Sequence, residues 1–166
     1  MKELFSLDAH DYNVNGKVFR RPSARGIVIR DGKLLVIYSE KHHFYKLPGG
    51  GIEKDEDPVC ALIREVKEET GRVVIPESVR EFGMVIRKNK DTYDENAIFE
   101  QVNYYYYCDV TDEASDTALD EHELEEGFIP LWVDPMEASR VNTMTGDDIM
   151  IRREARVLEM IAEEMK

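Results

Sequence analysis

Residues Gly49 to Arg72 read GGGIEKDEDPVCALIREVKEETGR, and the rest of the chain is arranged around this stretch. Asp57 suits a helix N-cap with Pro58 at the first helical position, and Gly71 suits the left-handed residue that ends a helix, so a helix is predicted from Pro58 to Thr70. At about 100° per residue, Val59, Leu62, Ile63, Val66 and Thr70 share a buried stripe, while Glu65, Glu68 and Glu69 fall on an adjoining arc.

Three carboxylates at i, i+3 and i+4 repel one another, and Lys67 points away from them. A divalent cation turns that repulsion into coordination, and hard oxygen donors suit Mg²⁺ or Mn²⁺. An acidic run on a helix is ordinarily a solvated face. What distinguishes this one is its entry through Gly49, Gly50 and Gly51, which allow close backbone approach to an anion or a metal.

The stretch resembles the signature of the Nudix hydrolases: Gly, five residues, Glu, seven residues, then Arg-Glu-apolar-any-Glu-Glu-any-Gly-apolar. The matching residues are Gly50, Glu56, Arg64, Glu65, Val66, Glu68, Glu69 and Gly71. Arg72 stands where the family has an aliphatic residue, and Asp55 where many members have Gly before the first Glu; neither departure touches a carboxylate.

The resemblance implies an α/β fold, specifically an α/β/α sandwich with a mixed sheet between helices, in a single domain over residues 20–166 with residues 1–19 as an extension packed on it. It also implies Mg²⁺-dependent cleavage of the pyrophosphate bond in a nucleoside diphosphate linked to another group. Metal ligands are then Glu65, Glu68 and Glu69 with the Gly49 carbonyl, Glu68 also counting as catalytic. Arg64 orients a glutamate, and Gly50 and Glu56 support the turn. In several family members a glutamate from a later loop takes the proton from water. Here Glu121, Glu123, Glu125 and Glu126 precede the Phe128–Val133 strand, and Glu123 is the residue chosen.

Two other classes stay open at this point. One is a nucleotide-binding sensor or regulatory module of the same fold without turnover. The other is an acidic interaction protein.

Composition narrows the field. With 166 residues and 42% hydrophobic content the chain can bury one sizeable core, and a formal charge of −13 argues against a broad nucleic-acid or acidic-membrane surface. The expected partner is a small nucleotide, with pairing into a homodimer an open expectation. Cys60 and Cys108 lack metal spacing and read as reduced core thiols, which fits the cytosol. The first 14 residues have no apolar core, so a signal peptide is not expected, and no apolar run is long enough to span a membrane.

Elsewhere, Val14-Asn15-Gly16-Lys17 suggests a tight hairpin-like turn between short strands, and Asp31-Gly32 a type I′ turn joining strands 23–30 and 33–38. Phe44 and Tyr45, just ahead of the glycines, are candidates to stack on a base or leaving group. Arg25 is a candidate substrate cation; Arg20 and Arg21 could meet a phosphate, and His42 and His43 are read as bystanders. Lys88 to Asn96 reads as a charged loop. In AIFEQVNYYYYCDV, residues 97–110, alternation puts Val102, Tyr104, Tyr106 and Cys108 on one face and Asn103, Tyr105, Tyr107 and Asp109 on the other. A short helix after Asp134 and a final helix over residues 147–165 complete the reading.

Overall fold

The computed structural model describes all 166 residues. Ten strands and four α-helices follow one another as β1 (Glu3–Asp8), β2 (Lys17–Arg20), β3 (Ser23–Ile27), β4 (Ile29–Arg30), β5 (Lys33–Ser39), β6 (Phe44–Lys46), β7 (Gly49–Gly51), α1 (Pro58–Thr70), β8 (Arg80–Lys90), β9 (Ala97–Tyr107), α2 (Glu121–Glu126), β10 (Phe128–Val133), α3 (Pro135–Thr145) and α4 (Ile149–Glu164).

The strands form two sheets. A six-stranded mixed sheet runs β1-β8-β9-β3-β7, with β2 also paired to β9, and a four-stranded antiparallel sheet runs β10-β5-β4, with β6 paired to β5. Helix α1 packs on one side, while α3 and α4 pack on the other. The alternation of the strands sorts residues between the two cores: Leu34, Val36 and Tyr105 join Ala138, Leu158 and Ile161 in one, and Leu35, Tyr106 and Cys108 join Leu62 and Val66 in the other. This is the sandwich of one α/β domain with a mixed sheet between helices.

Helix α1 has the predicted limits. The Asp57 side chain accepts from the amides of Val59 and Cys60, and Gly71 closes the helix at φ 70°. Asp31 and Gly32 both have positive φ, as a type I′ turn requires. The expected strand over residues 23–30 is divided, however: β3 pairs with β9 and β7 in the larger sheet, and after Val28 the chain continues as β4 in the smaller one. Alternation reports which face a residue occupies but not which strand lies beside it, so this passage between sheets leaves no trace in the pattern.

Three further expectations are corrected. Strands β1 and β2 do not form a hairpin; each lies parallel to a strand from the middle of the chain, β1 on β8 and β2 on β9. Residues 3–8 are thus an edge strand of the main sheet. Strand β8 extends through Lys90 into the segment read as a loop, since cross-strand partners on β9 compensate for its low β-propensity. Cys108 is buried as expected, but Cys60 is exposed, because it lies opposite the buried stripe of α1.

Candidate metal centre and active site

The site forms where the C-terminal half of α1 meets β7, β6 and α2. Glu69 faces inward and is only 1% exposed. Its carboxylate accepts from Lys46 Nζ at 2.6 Å and from the Gly49 amide at 2.8 Å. The neutralising lysine therefore comes from β6, and Lys67, the only lysine within reach along the helix, plays no part.

Glu65 lies one turn earlier, its carboxylate pressed against the backbone of Gly50. A Cβ at Gly50 would stand 2.2 Å from Glu65 Oε2, so only glycine fits there without displacing the carboxylate. Burial pushes the Glu65 carboxyl above its ordinary value, against the pull of the Arg64 guanidinium, and the neighbouring Glu69 and Glu68 charges add to the rise.

Arg64 is the hub of the turn. It donates to both oxygens of Glu56 at 2.9 Å, to Glu65 at 2.6 Å and to the Gly51 carbonyl at 3.0 Å, with a longer contact of 3.4 Å to Glu68. Its hydrogen bonds hold the Glu56 carboxyl below the usual carboxylate range. Glu56 also accepts the Glu53 amide, which closes the loop ahead of α1.

A further carboxylate comes from far along the chain. Glu123 sits in the first turn of α2, and its side chain accepts the Asp120 amide while Asp120 accepts the Glu123 amide, a reciprocal capping box. Oxygens of Glu65, Glu69 and Glu123 lie within 4.8 Å of one another. Burial first, and then the Glu69 charge, push the Glu123 carboxyl up to about 7, against the pull of its own amide hydrogen bond and of Lys46. Above this cluster two adjoining clefts share Arg21, Gly51, Glu65, Asp120 and Glu123; Glu68 borders the outer one, while Arg25, Lys46, Phe44 and Phe128 line the inner one.

The NUDIX domain profile matches residues 20–153, which is most of the chain. The protein belongs to the Nudix family. It is 47% identical over 57 residues to a MutT-like protein of Streptomyces ambofaciens, a stretch covering 33% of this chain and 37% of that one. It is 41% identical over 51 residues to an ADP-ribose pyrophosphatase of Methanocaldococcus jannaschii, covering 29% of this chain and 30% of that one. These alignments span about a third of the relatives' length. A solved NUDIX hydrolase from Nitrosomonas europaea shares the fold with a TM-score of 0.61, covering 86% of this chain and 90% of that one at 16% identity.

Within the Nudix box, the structure draws the carboxylates together differently from the sequence reading. Glu65 and Glu69 converge with Glu123, whereas Glu68, 40% exposed, stands at the rim beside Arg64. Glu123 is not on a free loop but on a capped helix turn. The Gly49 carbonyl accepts from Arg25 Nη1 at 2.6 Å, which leaves it one lone pair. Arg25 itself is buried and lines the inner cleft.

Phe44 is buried in the cleft wall, on the same face of β6 as Lys46. Tyr45 projects to the opposite face: its ring packs 4.9 Å from Tyr38, and its amide and carbonyl are both held by Asn142. The stacking role expected of Tyr45 is therefore withdrawn, because strand alternation turns it away from the cleft. Sequence reasoning missed Lys46 entirely. Its place two residues after Phe44, in a strand ahead of the glycines, was the available signal.

Proposed function

We propose that the protein is a divalent-cation-dependent pyrophosphohydrolase that cleaves a nucleoside diphosphate linked to another group. The observation that carries this reading is the convergence of Glu65, Glu69 and Glu123 within 4.8 Å, beside a cleft that also presents Arg21, Arg25 and Lys46. Carboxylates and cationic side chains in one cleft suit a polyphosphate bound partly through metal and partly through protein. The similarity to an ADP-ribose pyrophosphatase supports the same chemistry.

The donor set is made of hard carboxylate oxygens and fits Mg²⁺ or Mn²⁺. Glu65 and Glu69 would hold the cation, with Glu68 contributing from the rim. When bound, the cation supplies charge neutralisation at the phosphate oxygens and makes water a stronger acid. The Arg64 forks fix the orientation of Glu65 and of the Glu56 turn, so the ligands are held before substrate arrives. Glu123, anchored by its capping box at the edge of the cluster, would take the proton of the attacking water, a role its nearness to Glu65 and Glu69 supports. Phe44 and Phe128 wall the inner cleft and offer it an apolar surface.

A screen of nucleoside diphosphate derivatives with Mg²⁺ and Mn²⁺, read by release of nucleoside monophosphate, tests the proposal. Metal-dependent turnover of at least one derivative, lost in Glu69→Gln, is expected. Nucleotide binding without turnover of any derivative would replace the hydrolase with a sensor module.

A further inference from the structure

Between β6 and β7 the chain passes from the smaller sheet to the larger one in two residues. The ladder of β6 ends at Lys46, paired with Ile37 of β5, and that of β7 begins at Gly49, paired with Arg25 of β3. Leu47 and Pro48 lie between the two ladders. Pro48 has no amide proton, and its carbonyl accepts from the Gly26 amide at 2.8 Å. Leu47 is fully buried, so its amide must find an acceptor inside the protein.

That acceptor comes from α4. Glu154 Oε2 receives the Leu47 amide at 3.1 Å, and Glu154 is itself fully buried. The Leu47 carbonyl accepts from Arg25 Nη1 at 3.2 Å, so the residue is gripped at both of its backbone groups. A neutral carbonyl would satisfy a backbone amide. A buried carboxylate does so at a desolvation cost that Arg153, its neighbour on the helix, has to offset, and what the charge adds is a stronger hydrogen bond. Arg153 is fixed in turn by Gln101 at 3.0 Å and Asn103 at 2.9 Å on β9. Burial raises the Glu154 carboxyl, but the Arg153 and Arg25 charges outweigh it and hold the group below its ordinary value, so it stays ionised.

The place of Leu47 in the chain gives this anchor a consequence. Lys46, the residue before it, and Gly49, two residues after it, are the donors to the Glu69 carboxylate, one to each oxygen. A shift of Leu47 moves both donors with respect to Glu69. Arg64 orients Glu65 from within the box, whereas the partners of Glu69 both come from this short segment.

We propose that Glu154 is a positioning residue for the metal centre: through the Leu47 amide it fixes the segment from Lys46 to Gly49, and through that segment the orientation of the Glu69 carboxylate. This deepens the hydrolase reading and rests on it only in taking Glu69 as a cation ligand. A merely structural Arg153–Glu154 pair predicts a different outcome. Its loss lowers the melting temperature and leaves the cation affinity of the folded protein unchanged.

Two double variants separate these outcomes. Arg153→Met/Glu154→Gln removes both charges together, which avoids a lone buried ion, and keeps a side-chain carbonyl for the Leu47 amide. Arg153→Met/Glu154→Met removes the charges and that acceptor as well. Mn²⁺ is the probe, titrated into substrate-free protein and followed by electron paramagnetic resonance, with circular dichroism showing that each variant is folded at the titration temperature. The second variant is expected to bind Mn²⁺ about 10- to 100-fold more weakly than wild type, the usual effect of removing a group that orients a ligand, and the first to recover most of that loss. Equal affinity in the two variants overturns the proposal. If the second does not fold, Glu154→Asp decides: it keeps the charge beside Arg153 but, one methylene shorter, draws the carboxylate back from Leu47. Wild-type Mn²⁺ affinity in that variant overturns the positioning role.

Turnover of nucleoside diphosphate derivatives is measured beside the titration, so that the two failures can be told apart. No turnover by wild type, with Mn²⁺ affinity still dividing the variants, sinks the hydrolase and leaves the positioning role standing. Turnover by wild type with equal Mn²⁺ affinity in the variants does the reverse. A wild type that binds no Mn²⁺ removes the centre that Glu154 is said to position, and the proposal with it.

Discussion

Lys46 Nζ stands 2.6 Å from Glu69 Oε1, and the two side chains are 11% and 1% exposed. The pair joins β6 to the last turn of α1, and the Lys46 ammonium also lies 4.3 Å from the centre of the Phe128 ring on β10. One buried contact thus ties three elements together at the edge of the carboxylate cluster.

Lys46→Met leaves Glu69 as a buried carboxylate with only the Gly49 amide as partner. Breaking one side of a buried pair costs about 3–5 kcal/mol. The metal-free variant should melt well below the metal-free wild type, and saturating Mg²⁺ should narrow the gap, since a cation beside Glu69 replaces the lost charge. Equal melting temperatures without metal would show the pair to be inert.

The carboxylates should separate by role. Glu123→Gln is expected to cut kcat by about 10² to 10⁴ with Mg²⁺ affinity retained, as for loss of a general base. Glu69→Gln should lose both kcat and Mg²⁺ affinity, and Glu68→Gln, at the exposed rim, should lose less than either. Steady-state kinetics beside calorimetric Mg²⁺ titration read out the order; a Glu68→Gln loss larger than that of Glu69→Gln would move the cation outward.

Gly50→Ala places a methyl group where the Glu65 carboxylate lies, 2.2 Å from Oε2. The Gly50 backbone needs no left-handed conformation, so the strain falls on Glu65, whose side chain must swing aside. The expected result is a folded protein, destabilised by no more than about 1–3 kcal/mol, with Mg²⁺ affinity sharply reduced. Unchanged Mg²⁺ binding in this variant would remove Glu65 from the ligand set.

The two thiols should react at very different rates. Burial pushes Cys108 up to about 12, with Asp109 adding to the shift, so in the folded protein it is neutral throughout the range in which thiols are usually assayed. Cys60 is exposed on α1. A disulfide reagent at pH 8 should titrate one thiol in the native protein and two in denaturant; two fast thiols in the native state would contradict the packing of β9 against α1.

How much of this was legible in the chain depends on the range of the interactions involved. The helix limits, its caps at Asp57 and Gly71, the type I′ turn at Asp31-Gly32 and the two faces of β9 all follow from neighbours within a few residues, where backbone geometry and alternation dictate the outcome. The box glutamates could be placed on one arc by helical geometry alone.

What the tertiary structure decided are the relations between distant segments. Alternation cannot say that β3 pairs with β9, that Lys46 rather than Lys67 answers Glu69, or that Glu65 and Glu69 meet Glu123 from α2 while Glu68 stays at the rim. Each of these depends on which elements pack together, and packing is set by the complementarity of whole buried faces, which no local stretch of residues contains.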